Sequence, residues 1–412
     1  MALDVEFIRA QYPVFSNPET TRWAMFENAG GSYVPRQVSD RLHEFFQFSK
    51  VQPYGLFPSS IEAGERMEAG YQAIAGLLNC PTDELTLGPS TSMNTYVLAQ
   101  AIRPALRPGD EIIVTNQDHE ANIGCWRRLE EFGAVIKEWR IDPLSGELSL
   151  EDLEGLISAR TRLVCFSLCS NIVGTMNDVE AVCSLAHDVG ALTVGDGVSF
   201  APHRLLDVHA SGLDVYLFST YKTFGTHLGV MWVKPAVLKR LEPQGHYFNR
   251  EIPHYNFNPA GPLHAQIGAL AGLGEYIEAV YDHHFDEAQP GFHARAQRVF
   301  DLFAEHETVQ AKRILKAVKA IPGSRIIGQD QARTGMRAAT ISITLEALSS
   351  EEAVKKLVKR DIALRNGHFY ALRCLEALGI PDPEDGVIRI SLVHYNSAQE
   401  VDRLVEALGE LA

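Results

Sequence analysis

The sequence predicts an α/β fold with a largely parallel sheet, because strand-like and helical segments alternate between residues 85 and 233. A helical region over 268–319 then leads to a smaller α+β region. We expect a large domain over 20–280, and a small domain formed by 1–19 with 281–412. The predicted strands are 85–87, 111–114, 135–139, 163–167, 192–195, 213–218, 228–233, 338–345 and 387–392. The predicted helices are 5–11, 36–50, 60–78, a segment ending at 102, another ending at 132, 150–158, 177–190, 350–359, 369–377 and 397–411.

Composition narrows the class of protein. The chain has 412 residues, of which 46% are hydrophobic and 22% charged, as in an ordinary globular protein. Its net charge of −15 argues against a nucleic-acid or anionic-membrane partner, for which a basic face is expected. No apolar run reaches transmembrane length, and the start lacks the pattern of a signal peptide. The six cysteines and fifteen histidines show no metal-ligand spacing, so we predict no metal and reduced thiols in a cytoplasmic protein.

The segment 219–225 lies between two apolar runs that are both expected to be buried strands. A lysine in such a turn, Lys222, is unusual because its ammonium group favours a solvated surface. Desolvation would make its amine less basic and suit it to form a Schiff base. The alternative is a turn lysine whose chain reaches water.

Other polar side chains follow the ends of predicted strands, where ligands bind in open α/β sheets. Ser90 and Thr91 open a helix, whose free N–H groups and dipole suit a phosphate. His119 and Asp196 each follow a further strand. Taken singly, these residues could be N-caps, a structural histidine and a turn cap. Together with Lys222 they fit pyridoxal 5′-phosphate, since the carboxylate would pair with the pyridine nitrogen.

Four stretches resemble the class V aminotransferase and cysteine desulfurase family: 196–233, DHEANIGCW, CSNIVGTMND and VIRISLVHYNSAQEVDRLVEAL. They cover most of the chain in the family's order. The resemblance implies the fold type I of pyridoxal-phosphate enzymes, with a mainly parallel seven-stranded sheet in the large domain. It also implies an amino-acid substrate and a homodimer with shared active sites. The loop at Gly30–Gly31 and the segment 261–264 would suit the contact between subunits.

The resemblance assigns roles to particular residues. Lys222 matches the Schiff-base lysine, His119 the histidine stacked on the cofactor ring, and Asp196 the aspartate on the ring nitrogen. Arg389 matches the arginine that binds the substrate carboxylate, and guanidinium geometry suits that pairing. The remaining expected cofactor contacts are Ser90, Thr91, Asn171, Ser199, Ser219 and Tyr221, and the remaining expected substrate contacts are Asn171, Ala29, Gly30 and Tyr370.

Some positions depart from the family pattern. Ser199 stands where desulfurases usually have Gln, and Tyr221 where they have His. Tyr370 stands where the most similar desulfurases carry the cysteine that accepts sulfur as a persulfide. Cys374 and Cys125 are the nearby candidates for that role, although a helical cysteine is usually a packing residue.

The predicted function is a pyridoxal-phosphate enzyme that acts on a small amino acid through an internal aldimine at Lys222, with desulfurase-like C–S cleavage or β-elimination. Transamination and racemisation stay open as alternatives, because all three begin with the same loss of the Cα proton. A non-catalytic binding protein of the same fold is a further alternative. Ser219 and Lys222 also match the SxxK motif of serine acyl-transferases, but the accompanying SDN and KTG motifs do not occur.

Overall fold

A computed structural model of the chain describes residues 2–252 and 255–411. Its strands are β1 (Ala24–Met25), β2 (Leu85–Gly88), β3 (Glu111–Thr115), β4 (Val135–Trp139), β5 (Thr161–Ser167), β6 (Leu192–Asp196), β7 (Val215–Ser219), β8 (Gly229–Val233), β9 (Ser324–Ile327), β10 (Thr340–Leu345), β11 (Ile362–Ala363), β12 (Arg365–Gly367) and β13 (Val387–Ser391). Its helices are α1 (Val5–Ala10), α2 (Pro18–Thr21), α3 (Arg36–Phe48), α4 (Pro58–Leu78), α5 (Thr91–Ile102), α6 (Gly124–Arg127), α7 (Leu150–Leu156), α8 (Val179–Asp188), α9 (Pro235–Leu238), α10 (His264–Ala269), α11 (Ala271–His284), α12 (Phe292–Lys319), α13 (Ser350–Val358), α14 (Leu372–Ala377) and α15 (Ala398–Gly409).

The large sheet has seven strands in the order β2-β8-β7-β6-β5-β3-β4. Neighbouring strands run parallel except at β8, which is antiparallel to both β2 and β7. Every residue of β3, β7 and β8 is buried, as expected for strands covered on both faces. The predicted α/β fold with a mainly parallel seven-stranded sheet is therefore confirmed.

Alternation along the strands divides the interior into two layers. Ile113 and Val164 face a core shared with helices α4, α10 and α11. Ile112 and Leu163, one residue away on the same strands, face a second core that includes Leu98 of α5. Successive side chains of a strand point to opposite faces of the sheet, so β3 and β5 each contribute residues to both cores.

The smaller C-terminal region is built on the antiparallel sheet β12-β13-β10-β9. Residues near the N-terminus join it, because β1 pairs with β11 through Ala24 and Ile362, and Phe26 lies in the same buried cluster. Helix α1 instead contributes Ile8 to the core beside the large sheet. The predicted division at residues 20 and 280 stays a prediction.

Two predicted helices were wrong in part. The segment expected to be helical up to residue 132 is broken into a 3-10 turn at Glu120–Asn122, α6, and a 3-10 segment at Arg128–Phe132. Side chains fix the broken segment in place, because the amide of Asn122 donates to the carboxylate of Asp118 and accepts from the indole of Trp126.

The helix expected from residue 369 begins only at Leu372. Phe369 and Tyr370 instead adopt left-handed backbone conformations, with φ of 48° and 61°. Such values are disfavoured for bulky residues and persist only where the surroundings impose them. Here the surroundings are the candidate site.

No helix among the described residues is both long enough and apolar enough to cross a membrane.

Candidate active site

The carboxyl ends of β2, β3, β6 and β7 meet at one edge of the large sheet, as parallel strands require. Two cavities adjoin there and share His119, Tyr221, Lys222 and Tyr370. The first has a volume of about 490 Å³ and is also lined by Ser90, Thr91, Ser92, Tyr96, Glu120, Ala121, Asp196, Val198, Ser219 and His227. The second has a volume of about 550 Å³ and is also lined by Glu27, Ala29, Gly30, Asn171, Arg365, Asn366, Gly367, His368, Phe369, Glu384 and Arg389. We call them the ring compartment and the carboxylate compartment.

Lys222 ends a 3-10 turn, Thr220–Lys222, that follows β7 directly. The turn is held by the Thr220 hydroxyl, which donates to the carbonyl of Thr226. Lys222 is only 8% exposed. Burial lowers the pKa of its amine to about 8, and the positive charge of Arg389 contributes to the same shift. An amine with this pKa is a better nucleophile and base near neutral pH than a surface lysine.

Asp196 is the last residue of β6 and is 5% exposed. The N–H group of Val198 donates to its Oδ1 at 2.8 Å. Burial outweighs this hydrogen bond and raises the pKa of the carboxyl group to about 7. A carboxylate in such a place is stabilised by a cationic hydrogen-bond donor, and a protonated pyridine nitrogen is such a group.

His119 presents a flat, neutral ring between the two compartments. Its Nδ1 accepts the N–H of Ala121 at 3.1 Å, so in the neutral ring the proton lies on Nε2. Burial lowers the pKa of this histidine to about 3, with a further contribution from the charge of Lys222. The ring stacks on Tyr370, with centroids 5.3 Å apart and planes inclined by 28°.

The start of helix α5 forms the far wall of the ring compartment. Ser90 is the N-cap, and its side chain accepts the N–H of Met93 at 3.2 Å. The hydroxyl groups of Thr91 and Ser219 share a hydrogen bond of 2.8 Å. A Cβ at Gly229 would collide with the backbone of Ser90 and Thr91, so glycine allows β8 to pass against this terminus. Hydroxyl groups and N–H groups at a helix N-terminus form a suitable phosphate site.

Arg389 lies in β13 at the base of the carboxylate compartment and is 2% exposed. Its Nη2 donates to Oε1 of Glu27 at 3.1 Å, and its Nη1 donates to the carbonyl of Asn171 at 3.5 Å. The guanidinium carbon lies 3.6 Å from the centroid of the Phe369 ring. Burial lowers the pKa of this arginine to about 10, so it stays protonated at neutral pH.

Most of the residues predicted to form the site line one of the two compartments. Ser199, in the turn after Asp196, is not among the lining residues of either compartment. Asn171 lines the carboxylate compartment, and its Nδ2 donates to the carbonyl of Phe369 at 3.0 Å. Ala29 and Gly30 lie beside it.

Sequence reasoning missed Glu27 and His227. The His227 ring stacks on Tyr221, with centroids 4.4 Å apart. Its position five residues after Lys222, in the same turn, was a signal that could have been used. Glu27 carries no comparable signal, because its partner Arg389 is 362 residues away.

The two candidate sulfur acceptors are both buried. Cys374 is 0% exposed and Cys125 is 2% exposed. Burial raises the pKa of each thiol to about 12. Neither lines a compartment of the site. Sulfur acceptance needs an accessible thiolate, and neither cysteine meets that condition.

The chain is similar to known proteins along nearly its whole length. The sequence model of the family described as aminotransferase class-V matches residues 24–404. The chain is 33% identical to the aminotransferase-like protein FGM3 of Gibberella zeae, over 99% of this chain and 98% of that protein. It is 30% identical to a cysteine desulfurase of an Enterobacter species, over 100% of this chain and 99% of that protein.

Solved structures share the fold. A cysteine desulfurase from Thermococcus onnurineus superposes with a TM-score of 0.86 at 22% identity, covering 100% of this chain and 98% of that one. A mutant of the protein C-DES, with glycine covalently linked to its pyridoxal phosphate cofactor, superposes with a TM-score of 0.76 at 16% identity, covering 98% and 99%. The chain therefore belongs to the class V aminotransferase family, whose enzymes use pyridoxal 5′-phosphate.

Proposed function

We propose that the chain removes the Cα proton of a small amino acid and then eliminates a β-substituent, with pyridoxal 5′-phosphate as cofactor. The main observation in support of this proposal is the position of Lys222. A buried lysine of lowered pKa lies between a compartment suited to the cofactor and a compartment with a buried arginine.

The residues of the ring compartment fit the cofactor. Lys222 would hold it covalently through Nζ, and the buried Asp196 would pair with the ring nitrogen. His119 would lie on one face of the ring, where its neutral state adds no repulsive charge. The hydroxyl groups of Thr91 and Ser219, with the first N–H groups of α5, would receive the phosphate. Ser90 and Tyr221 complete this set. When bound, the cofactor withdraws the electron pair left at Cα.

The chain's own residues would carry out the remaining work. Arg389 binds the substrate carboxylate and so orients the Cα–H bond toward Lys222. Nζ of Lys222, released when the substrate amine takes its place, would accept the Cα proton, for which a pKa near 8 is well matched to neutral pH. His119 would cover one face of the cofactor ring and limit the access of water there.

The fate of the β-substituent distinguishes two reactions. In elimination, a substrate with a leaving group at Cβ loses that group with its electron pair, and hydrolysis of the product gives a 2-oxo acid and ammonia. A relay of sulfur through a persulfide is not part of this proposal, because both candidate thiols are buried and protonated. Transamination is the second candidate. The burial of both thiols is compatible with it, because transamination needs no sulfur acceptor.

A panel of amino acids tests the proposal. Elimination predicts 2-oxo acid and ammonia in equal amounts, with sulfide when the substrate is cysteine, and no need for an amino acceptor. Transamination predicts 2-oxo acid only when a second 2-oxo acid is supplied, with no free ammonia. The variant Lys222→Ala is the blank. If borohydride reduction and peptide mapping leave the cofactor on a peptide that lacks Lys222, the proposal is wrong.

We also propose a cytoplasmic homodimer. The segment 46–61 carries large apolar side chains that are exposed in the single chain, among them Phe48 at 61% and Leu56 at 99%. Clustered apolar exposure of this kind marks interaction surfaces. All six cysteines are unpaired, in keeping with a reducing compartment. Light scattering after gel filtration should give about twice the mass of 45.6 kDa, and a monomeric mass would contradict the dimer.

A further inference from the structure

The arginine assigned to the substrate carboxylate already has a carboxylate partner. Glu27 binds Nη2 of Arg389 through one oxygen, at 3.1 Å, in an ion pair whose side chains are 13% and 3% exposed. Among the described residues, the other oxygen of Glu27, Oε2, is buried without a hydrogen-bond partner, and so is Nε of Arg389. The pair is therefore monodentate and leaves hydrogen-bonding capacity unused on both sides.

The backbone around Glu27 holds its carboxylate in this place. Glu27 forms an isolated parallel bridge with Ser391, two residues beyond Arg389 in β13. The Ser391 hydroxyl accepts the N–H of Ala29 at 2.8 Å, and its carbonyl accepts Nδ2 of Asn28 at 2.9 Å. The glutamate is thus fixed to the strand that carries its partner.

Gly30 supplies the space that this side chain needs. A Cβ at Gly30 would collide with Oε1 of Glu27, the oxygen that binds Arg389. Glycine at this position therefore allows the glutamate to fold back over its own turn onto the arginine.

An unpaired guanidinium in this position would be unfavourable, since a buried charge without a partner is strongly destabilising. Glu27 neutralises Arg389 while the compartment holds no other anion. A substrate carboxylate could form two parallel hydrogen bonds with the guanidinium, against the one that Glu27 makes. A bidentate pair that includes the Nη2 N–H now bound to Glu27 requires Glu27 to release it, so a carboxylate that binds by this edge displaces Glu27.

We propose that Glu27 competes with the substrate carboxylate for Arg389. The substrate carboxylate binds Arg389 by displacing Glu27, and Glu27 thereby determines which ligands the site accepts. A ligand with a free carboxylate completes the exchange, whereas a ligand without one leaves the Glu27–Arg389 pair intact. This inference rests on the proposed role of Arg389 in substrate binding.

Titration of the holoenzyme with L-alanine and with L-alaninamide, followed by the absorbance of the bound cofactor, tests the exchange. Glu27→Gln removes the competing charge and keeps the size of the side chain. We expect its Kd for L-alanine to fall about tenfold, a change of about 1.4 kcal/mol. The Kd for L-alaninamide, which lacks the carboxylate, should change less than twofold and so report an intact site.

Glu384→Gln is the matched control, because Glu384 lines the same compartment but is 80% exposed, and its Oε2 lies 3.9 Å from Nε2 of His368 and not against Arg389. It removes the same charge and should leave the Kd for L-alanine within twofold. If the control tightens binding as much as Glu27→Gln does, a general charge effect explains the result and the inference is wrong.

Arg389→Lys distinguishes failure of the competitor role of Glu27 from failure of the proposed function. If Arg389→Lys binds L-alanine more weakly than the wild type, and Glu27→Gln does not bind it more tightly, the competitor role is refuted and the proposed function stands. If Arg389→Lys binds L-alanine like the wild type, or if the wild type binds neither ligand, the proposed function fails and the competitor role fails with it.

Discussion

Replacement of Lys222 by methionine in the cofactor-free protein should stabilise the fold at neutral pH. Methionine has about the length of lysine without the charge, so it fills the same space. The amine of Lys222 has a pKa of about 8 in the folded chain, against an ordinary value of 10.5. The folded state therefore holds this proton less tightly than the unfolded state does, and the charged amine opposes folding below pH 8.

The two pKa values set the size of the effect. At pH 7 the difference between them corresponds to about 3 kcal/mol of lost stability. The loss shrinks as the pH rises through 8 toward 10.5, because the folded amine is then already neutral. At pH 10 about 1 kcal/mol remains. The variant should thus gain most at pH 7 and little at pH 10.

Urea unfolding of wild type and Lys222→Met, both freed of cofactor, measures this difference at the two pH values. Lys356→Met, at an exposed position of helix α13, is the control and should change the free energy of unfolding by less than about 0.5 kcal/mol. A gain at pH 7 that persists at pH 10 would show that packing, and not the buried charge, is responsible. No gain at pH 7 would refute the lowered pKa on which the proposed base depends.

Three further substitutions test other parts of the molecule. Asp196→Asn removes the carboxylate expected to keep the cofactor ring protonated. Exchange of the Cα proton of a bound amino acid should therefore slow about 100-fold, as measured by NMR in D₂O. A rate within threefold of wild type would exclude that role. Gly229→Ala would push the start of α5 away from β8, so equilibrium dialysis should show at least about tenfold weaker pyridoxal 5′-phosphate binding, a change of about 1.4 kcal/mol; unchanged affinity would mean that this terminus does not hold the phosphate. Gly70→Ala would collide with the carbonyl of Ile267, where α4 crosses α10, and should lower the free energy of unfolding by about 2 kcal/mol in urea. Gly155→Ala in α7 has open space at its Cβ and should not destabilise, and equal loss in both variants would contradict the packing argument.

The parts of the site that a local pattern could predict are those that follow strands. Asp196 ends an apolar run, and Thr91, His119 and Lys222 lie in the short segments that follow such runs. Parallel strands bring these positions to one edge. Local sequence therefore sufficed to bring these residues together. Arg389 was different, because an arginine within a strand has no local sign of its role, and only the family resemblance singled it out.

The parts that were missed depend on contacts between distant segments. The left-handed conformation of Phe369 and Tyr370 overrides a helical pattern because partners from elsewhere hold the loop. The N–H of Glu120 donates to the carbonyl of Tyr370 at 2.7 Å, and Asn171 donates to that of Phe369. The Phe369 ring lies against Arg389. None of these partners is near in sequence, so no local propensity could reveal the loop.

This loop also supports the proposal of chemistry without a sulfur relay. Tyr370 lines both compartments, is 69% exposed and stacks on His119. A thiol at this position could reach both water and the substrate, whereas Cys374 lies in the buried face of α14 with its pKa raised to about 12. Movement of Cys374 into the site would require α14 to leave the buried hydrophobic cluster to which Cys374 and Leu375 belong. A group released from Cβ would therefore leave toward solvent past Tyr370, and this geometry favours direct elimination or transamination over transfer of sulfur to the protein.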